Sequence, residues 1–220
     1  MEETILLLAS SSPRRRQLLA LAGRRFNLHP VNIDETPRPG EAPDVYVLRL
    51  AQSKARAAGV EAPQAPIILA ADTTVADGSR ILGKPQNEFE AVEMLHLLRG
   101  RSHQVLTALA LYQPVQNQCM VSVCATWVTM RFYQDEEIKK YIASGDAMDK
   151  AGAYAIQHPG FHPVESVQGC YANVIGLPLC LLQSMLFKVG LSNPADLLAC
   201  PEDAKLCPVC NSLMRGENAV

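Results

Sequence analysis

Ser10-Ser11-Ser12-Pro13 runs directly into Arg14-Arg15-Arg16, and residues of these types at this spacing can bind an anion. Ser12 fits the N-cap of a helix and Pro13 its first position. A helix start leaves backbone N–H groups unpaired and carries partial positive charge, so it is a ready phosphate site. Arginines in that first turn oppose the helix dipole, and a bound phosphate chain would offset the cost. The same residues also describe a capped helix with a solvated arginine face. A second reactive group is Asp72, which ends the apolar run Ile67-Ile68-Leu69-Ala70-Ala71. A buried strand delivers a carboxylate at its C-terminal edge, where α/β proteins place ligands. The alternative for Asp72 is a turn cap ahead of Thr73.

The elements that must hold these groups follow from patterning. The run at 5–9 reads as a buried strand and 14–22 as a helix stopped by Gly23. A proline-rich acidic loop over 29–43 carries Asp34 and Glu35, and a helix over 44–58 carries Arg49, Lys54 and Arg56. The strand at 67–71 continues through Thr73, Asp77-Gly78 signals a hairpin turn, and 80–82 is its return. Gly83-Lys84-Pro85 breaks the pattern. Asn87, with Glu90 three residues on, opens another helix. Two long strands follow at 105–112 and 119–132, the second alternating Val128, Met130 and Phe132 with Trp127, Thr129 and Arg131. Helices over 135–144 and 179–189 complete the set, which predicts an α/β or α+β chain built on a large twisted sheet.

The 220 residues suffice for one sizeable domain with an appendage. With 48% hydrophobic and 19% charged residues the chain reads as globular. A net charge of −2 argues against a general nucleic-acid binder. Glu2 and Glu3 do not read as a signal peptide, and the apolar run at 174–182 contains Gly176 and Pro178 and is too short to span a bilayer. The expectation is a cytoplasmic protein with no membrane partner. Seven cysteines fit reduced thiols. Cys119 and Cys124 should face opposite sides of their strand, and Cys170 and Cys180 read as small core residues. Cys200 and Cys207-Pro208-Val209-Cys210 form a partial zinc knuckle with three ligands where a structural site wants four. The fourth would come from His158, His162 or another subunit; a tail without metal is the alternative.

Five ordered blocks carry a family resemblance: Leu8 to Arg15, Ala71-Asp72-Thr73, Gly83-Lys84-Pro85, Asp149 to Gln157, and Val174 to Leu179. Over residues 4–190 the chain resembles the Maf family of nucleotide pyrophosphatases. The resemblance implies a long bent mixed sheet flanked by helices with the nucleotide in a central cleft, a domain over 1–190, and a tail over 191–220. It implies hydrolysis of a nucleoside triphosphate to the monophosphate and pyrophosphate with a divalent metal, Mg²⁺ or Mn²⁺, in a homodimer. On this basis Asp72, Glu35, Lys54 and Lys84 are the expected catalytic residues, with Asp72 and Glu35 the metal ligands. Ser10, Arg14, Arg15, Thr73 and Gln157 are the expected substrate contacts. Such chemistry needs charge neutralisation on the phosphates and a base or metal-bound hydroxide. Arg14, Thr73 and Gln157 together match the dTTP/UTP subgroup rather than the 7-methyl-GTP one. A nucleotide-binding regulator of division without turnover is the rival from another class. One departure is His158-Pro159-Gly160 after Gln157, where the family usually has Gly at once; it should stiffen that loop.

Overall fold

In the computed structural model the described residues are 5–191 together with Cys207, Cys210, Asn211 and Arg215. Seven strands form one mixed sheet. Its centre is β3 (Ile68–Asp77), which pairs in parallel with β1 (Leu6–Leu8) and antiparallel with β5 (Ser102–Gln113). β2 (Phe26–Leu28) lies in parallel outside β1, β4 (Arg80–Leu82) closes the hairpin on β3, and β6 (Gln118–Met130) and β7 (Val164–Gln168) continue antiparallel beyond β5. The mixed sheet flanked by helices is the architecture expected from sequence.

Three helices place reactive groups. Helix α1 (Pro13–Leu21) is capped by Ser12, whose hydroxyl accepts from the Arg15 amide. Helix α2 (Pro43–Glu61) buries Val47, Leu50, Ala51, Ala55 and Ala58 against one sheet face, together with Ile68, Ala70 and Ala108. That contact holds α2 along the central strands and carries Lys54 on its flank. Helix α3 (Glu88–Leu98) starts at Asn87, whose side chain accepts from the Glu90 amide, as the sequence predicts.

The C-terminal helices α4 (Asp135–Ala143), α5 (Tyr171–Ile175) and α6 (Leu179–Lys188) complete the layers. α5 and α6 pack with Leu6, Leu8, Leu69 and Leu109 in the largest buried cluster, which also takes in Cys207 and Cys210. Sequence patterning missed β2, β7 and α5. It also overran β6: the strand ends at Met130 after an irregularity at Thr129/Met130, and Phe132 stands 71% exposed beneath the Arg99 guanidinium.

Candidate active site

A cleft of about 700 Å³ opens over the C-terminal ends of β1 and the first half of β3. Its size suits a small organic ligand. All nine residues singled out from sequence line it: Ser10, Arg14, Arg15, Glu35, Lys54, Asp72, Thr73, Lys84 and Gln157.

The cleft holds a carboxylate–ammonium–carboxylate group. Lys54 Nζ donates to Asp72 Oδ1 at 2.6 Å and pairs with Glu35 Oε1 at 2.6 Å. The two carboxylates differ in environment. Asp72 is buried, and burial raises its pKa above the ordinary value although Lys54 and Arg15 oppose the rise. Burial also works to raise Glu35, but the Lys54 hydrogen bond and the charges of Lys54, Lys84 and Arg15 outweigh it and hold Glu35 below its usual range. Tyr46 donates to the Glu35 carbonyl at 2.9 Å and pins the loop; burial, reinforced by Asp72 and Glu35, pushes its phenol up to about 12. One low and one high carboxylate is the separation expected where one must stay charged and the other must accept a proton.

The floor of the cleft is a directed hydrogen-bond relay. Arg15 Nη1 donates to Ser10 Oγ at 3.3 Å, Nη2 to Thr73 Oγ1 at 3.0 Å, and Nε to the Gly176 carbonyl at 3.0 Å. Thr107 donates to the Asn173 carbonyl at 3.0 Å, so in its 2.9 Å contact with Thr73 it must be the acceptor. The relay therefore runs Arg15 to Thr73 to Thr107 to Asn173. Gly176 caps α5 with φ of +117°, and a Cβ there would meet Thr73 Oγ1 at 3.4 Å and Arg15 Nε at 3.6 Å. Only glycine combines that backbone with that approach.

Other cations keep their charge for a ligand. Among the described residues neither Arg14 nor Lys84 forms a salt bridge, and the amides of Ser11 and Arg14 have no protein acceptor. Arg14 and the two amides stand at the start of α1, and Lys84 lines the same cleft, as an anion site requires. Gln157 offers an amide with no protein partner among the described residues. Its neighbour His158 closes the following turn by accepting from the Gly160 and Phe161 amides at 3.2 and 3.0 Å.

Sequence reasoning gave no role to Asp146, Asp149 and Lys150, which also line the cleft. Lys150 is buried and held by Asp146 Oδ1 at 2.8 Å and Asp149 Oδ1 at 2.6 Å. The loop carrying it reaches β3 through Gly152, with φ of +68°, where a Cβ would strike Val75 at 2.9 Å. Asn173 was missed as well: its amide ties α5 to the Val105 carbonyl and Thr126 Oγ1, both at 2.9 Å. An acidic pair beside a lysine, and an asparagine amid apolar residues, were the available signals.

Among the described residues no group of three or more His, Cys, Asp or Glu side chains is arranged to hold a metal. Within the carboxylate–ammonium–carboxylate group Lys54 engages one oxygen of Asp72 and one of Glu35, leaving a second oxygen on each. Two carboxylates completed by phosphate oxygens and water suit Mg²⁺, so the residues fit a cation that arrives with its substrate.

The Maf-like protein family model matches residues 5–189. The chain belongs to the Maf family. Among its relatives, the dTTP/UTP pyrophosphatase of Geobacter sp. (strain M21) is 43% identical over 190 residues, covering 86% of this chain and 98% of the relative. The dTTP/UTP pyrophosphatase of Thermomicrobium roseum is 45% identical over 206 residues, covering 93% of this chain and 91% of the relative. That second alignment is long enough to run beyond residue 189 into the tail. The solved Ham1 protein of Staphylococcus aureus aligns over 74% of this chain and 81% of its own, at 12% identity and a TM-score of 0.43.

Proposed function

We propose that this Maf-family chain hydrolyses dTTP and UTP to the nucleoside monophosphate and pyrophosphate. The observation that carries the reading is Lys54 bridging a buried Asp72 and a more exposed Glu35 at 2.6 Å each, in one cleft with Arg14 at a helix start and Lys84, neither of them in a salt bridge among the described residues. Kinship with proteins named dTTP/UTP pyrophosphatase supports the substrate.

In this reading Arg14, Lys84 and the Ser11 and Arg14 amides hold the phosphate chain, and Arg15 fixes the floor beneath it. Asp72, raised by burial, takes the proton from the water that attacks the α-phosphorus. Lys54 keeps Asp72 and Glu35 in register and offsets charge that builds toward the leaving pyrophosphate. Asp72 and Glu35 would hold a divalent cation through their second oxygens; the chemistry it supplies when bound is neutralisation of phosphate charge and a lowered pKa for water. Gln157 donates to and accepts from the pyrimidine edge. Thr73 already gives its proton to Thr107, so it offers the base an acceptor lone pair only.

The reading further takes 1–190 as the catalytic domain, 191–220 as a tail, the protein as a cytoplasmic homodimer, and Mg²⁺ or Mn²⁺ as its metal. A net charge of −2 supports a small-molecule substrate over nucleic acid. No helix among the described residues is long and apolar enough to cross a membrane. The test is pyrophosphate release from canonical and modified triphosphates with Mg²⁺ or Mn²⁺. The expected order places dTTP and UTP well ahead of 7-methyl-GTP, ATP and GTP; no turnover of any triphosphate would overturn the reading.

A further inference from the structure

Four cysteines from separate stretches meet in one buried cluster. Cys170 is the N-cap of α5, Cys180 lies in the first turn of α6, and Cys207 and Cys210 come from the tail. Their exposures are 2%, 7%, 0% and 1%. Cys170 Sγ faces Cys210 Sγ at 3.8 Å, Cys180 Sγ faces Cys207 Sγ at 4.0 Å, and Cys210 reaches Cys207 as well. The Asn211 amide donates to the Cys207 carbonyl at 2.8 Å. That bond reaches four residues back, the spacing of a helical hydrogen bond, at which residues three apart share a side.

We infer that Cys170, Cys180, Cys207 and Cys210 form a tetrathiolate zinc site that staples the tail to α5 and α6. The sequence expectation drew a fourth ligand from His158, His162 or another subunit; in this inference the body supplies Cys170 and Cys180 instead. His158 Nδ1 is committed to its own turn. Cys200 lies outside the described residues.

The distances separate the alternatives. A disulfide needs sulfurs about 2.05 Å apart. In a tetrahedral site with Zn–S bonds of about 2.3 Å, the sulfurs lie about 3.8 Å apart, the edge of the tetrahedron. Buried thiols acting only as small apolar residues have no reason to seek one another. The other two described cysteines, Cys119 and Cys124, are half-buried and pack into different clusters on opposite faces of β6. The four thiols touch one after another, Cys170 to Cys210 to Cys207 to Cys180, without closing into a metal-holding group among the described residues. Binding closes the set. Each thiol passes its proton to solvent as its Zn–S bond forms, and no electron changes hands.

The site touches the cleft indirectly. Cys170 begins α5, and Gly176, which ends it, receives the Arg15 guanidinium. A staple at one end of α5 braces the floor at the other.

The test uses the full chain, purified without chelators from zinc-supplemented cells. Elemental analysis should find about one zinc per chain, and X-ray absorption about four sulfurs at roughly 2.3 Å. The double variant C207S/C210S and the single variant C170S should each lose bound zinc at least tenfold, whereas C119S keeps it. Should C207S/C210S fail to fold, wild type still decides: a mercurial that titrates thiols should release zinc in step. A zinc-free wild type that also fails to take up added zinc when reduced overturns the inference. So does retention of zinc by C207S/C210S, or a mass four hydrogens low from two disulfides. None of these outcomes depends on which nucleotide the cleft hydrolyses.

Discussion

Replacing Asp72 by Asn should separate chemistry from binding and from folding. The substitution keeps shape and removes the charge that takes the proton from water. A general base supplies about 10²–10⁴ in rate, so the barrier should rise by roughly 3–5 kcal/mol at about 1.4 kcal/mol per tenfold. Stability should change much less. Stripping one partner from a buried ion pair can cost about 3–5 kcal/mol when the other charge is left alone. Lys54 is not left alone: Glu35 remains 2.6 Å away, and the asparagine oxygen can still accept from its ammonium. Burial works against the Asp72 charge, so removing that charge returns part of the cost. The net loss should be about 1–2 kcal/mol, the scale of one charge-assisted hydrogen bond. Triphosphate affinity should hold or tighten, since one negative charge leaves the cleft. Pyrophosphate release gives kcat, calorimetry gives Kd, and urea titration gives stability. A kcat within tenfold of wild type refutes the assignment of Asp72 as base. A Kd that weakens in step with kcat would make Asp72 a binding residue instead.

Three further outcomes follow from the same geometry. Arg14→Ala should weaken UTP binding by about 1.5–3 kcal/mol and leave uridine binding nearly unchanged, because Arg14 is an uncommitted cation at the phosphate end; equal losses by calorimetry would refute the role. Gln157→Glu should erode the preference for pyrimidine over purine triphosphates more than it lowers affinity for the phosphate chain, read as kcat/KM ratios, since a site built to pair one base edge rejects what leaves its groups unpaired. His103 is buried, and burial lowers its pKa to about 4 against only a small opposing effect of Asp77. The unfolded chain gains its proton near pH 6.5 and the folded one only near 4, so His103 contributes stability that is full above 6.5 and lost as pH falls between those values. The loss amounts to about 3 kcal/mol, and urea titrations of His103→Gln across that range should show a correspondingly flatter profile.

The legible parts of the fold were those where one residue does a local job. Ser12 and Asn87 cap helices with their own side chains. The apolar run ahead of Asp72 was legible too, but Asp72 does not end its strand: β3 continues through it to Asp77, because β5 pairs with it beyond that point. β7 was invisible because three of its five residues are exposed and polar on an edge, and β2 because three residues give no period. At the site, residue types were legible but their commitments were not. Thr73 reads as a free hydroxyl until Arg15 and Thr107 are found on either side of it, from positions 58 and 34 residues away in the chain. The partners of the tail cysteines were hidden for the same reason: Cys170 lies 40 residues from Cys210, and Cys180 27 from Cys207. Spacing rules cannot see a pairing that only the sheet and its covering helices create.

The relay on the cleft floor also bears on what a reactive triphosphate is kept from doing. Under the proposed function Ser10 and Thr73 are alcohols in the cleft, with Thr107 buried behind Thr73, and an alcohol there competes with water as a nucleophile toward an anhydride. Ser10 has its lone pairs occupied by Arg15 and the Ser12 amide, while Thr73 and Thr107 send their protons along a line that ends on the Asn173 carbonyl. An oxygen whose lone pairs are occupied, or whose proton is aimed away from any base, is a poor attacker. Arginine can only donate and a carbonyl can only accept, so the line cannot reverse. Under the proposed function, these three floor alcohols are thereby kept from becoming phosphorylated in place of water.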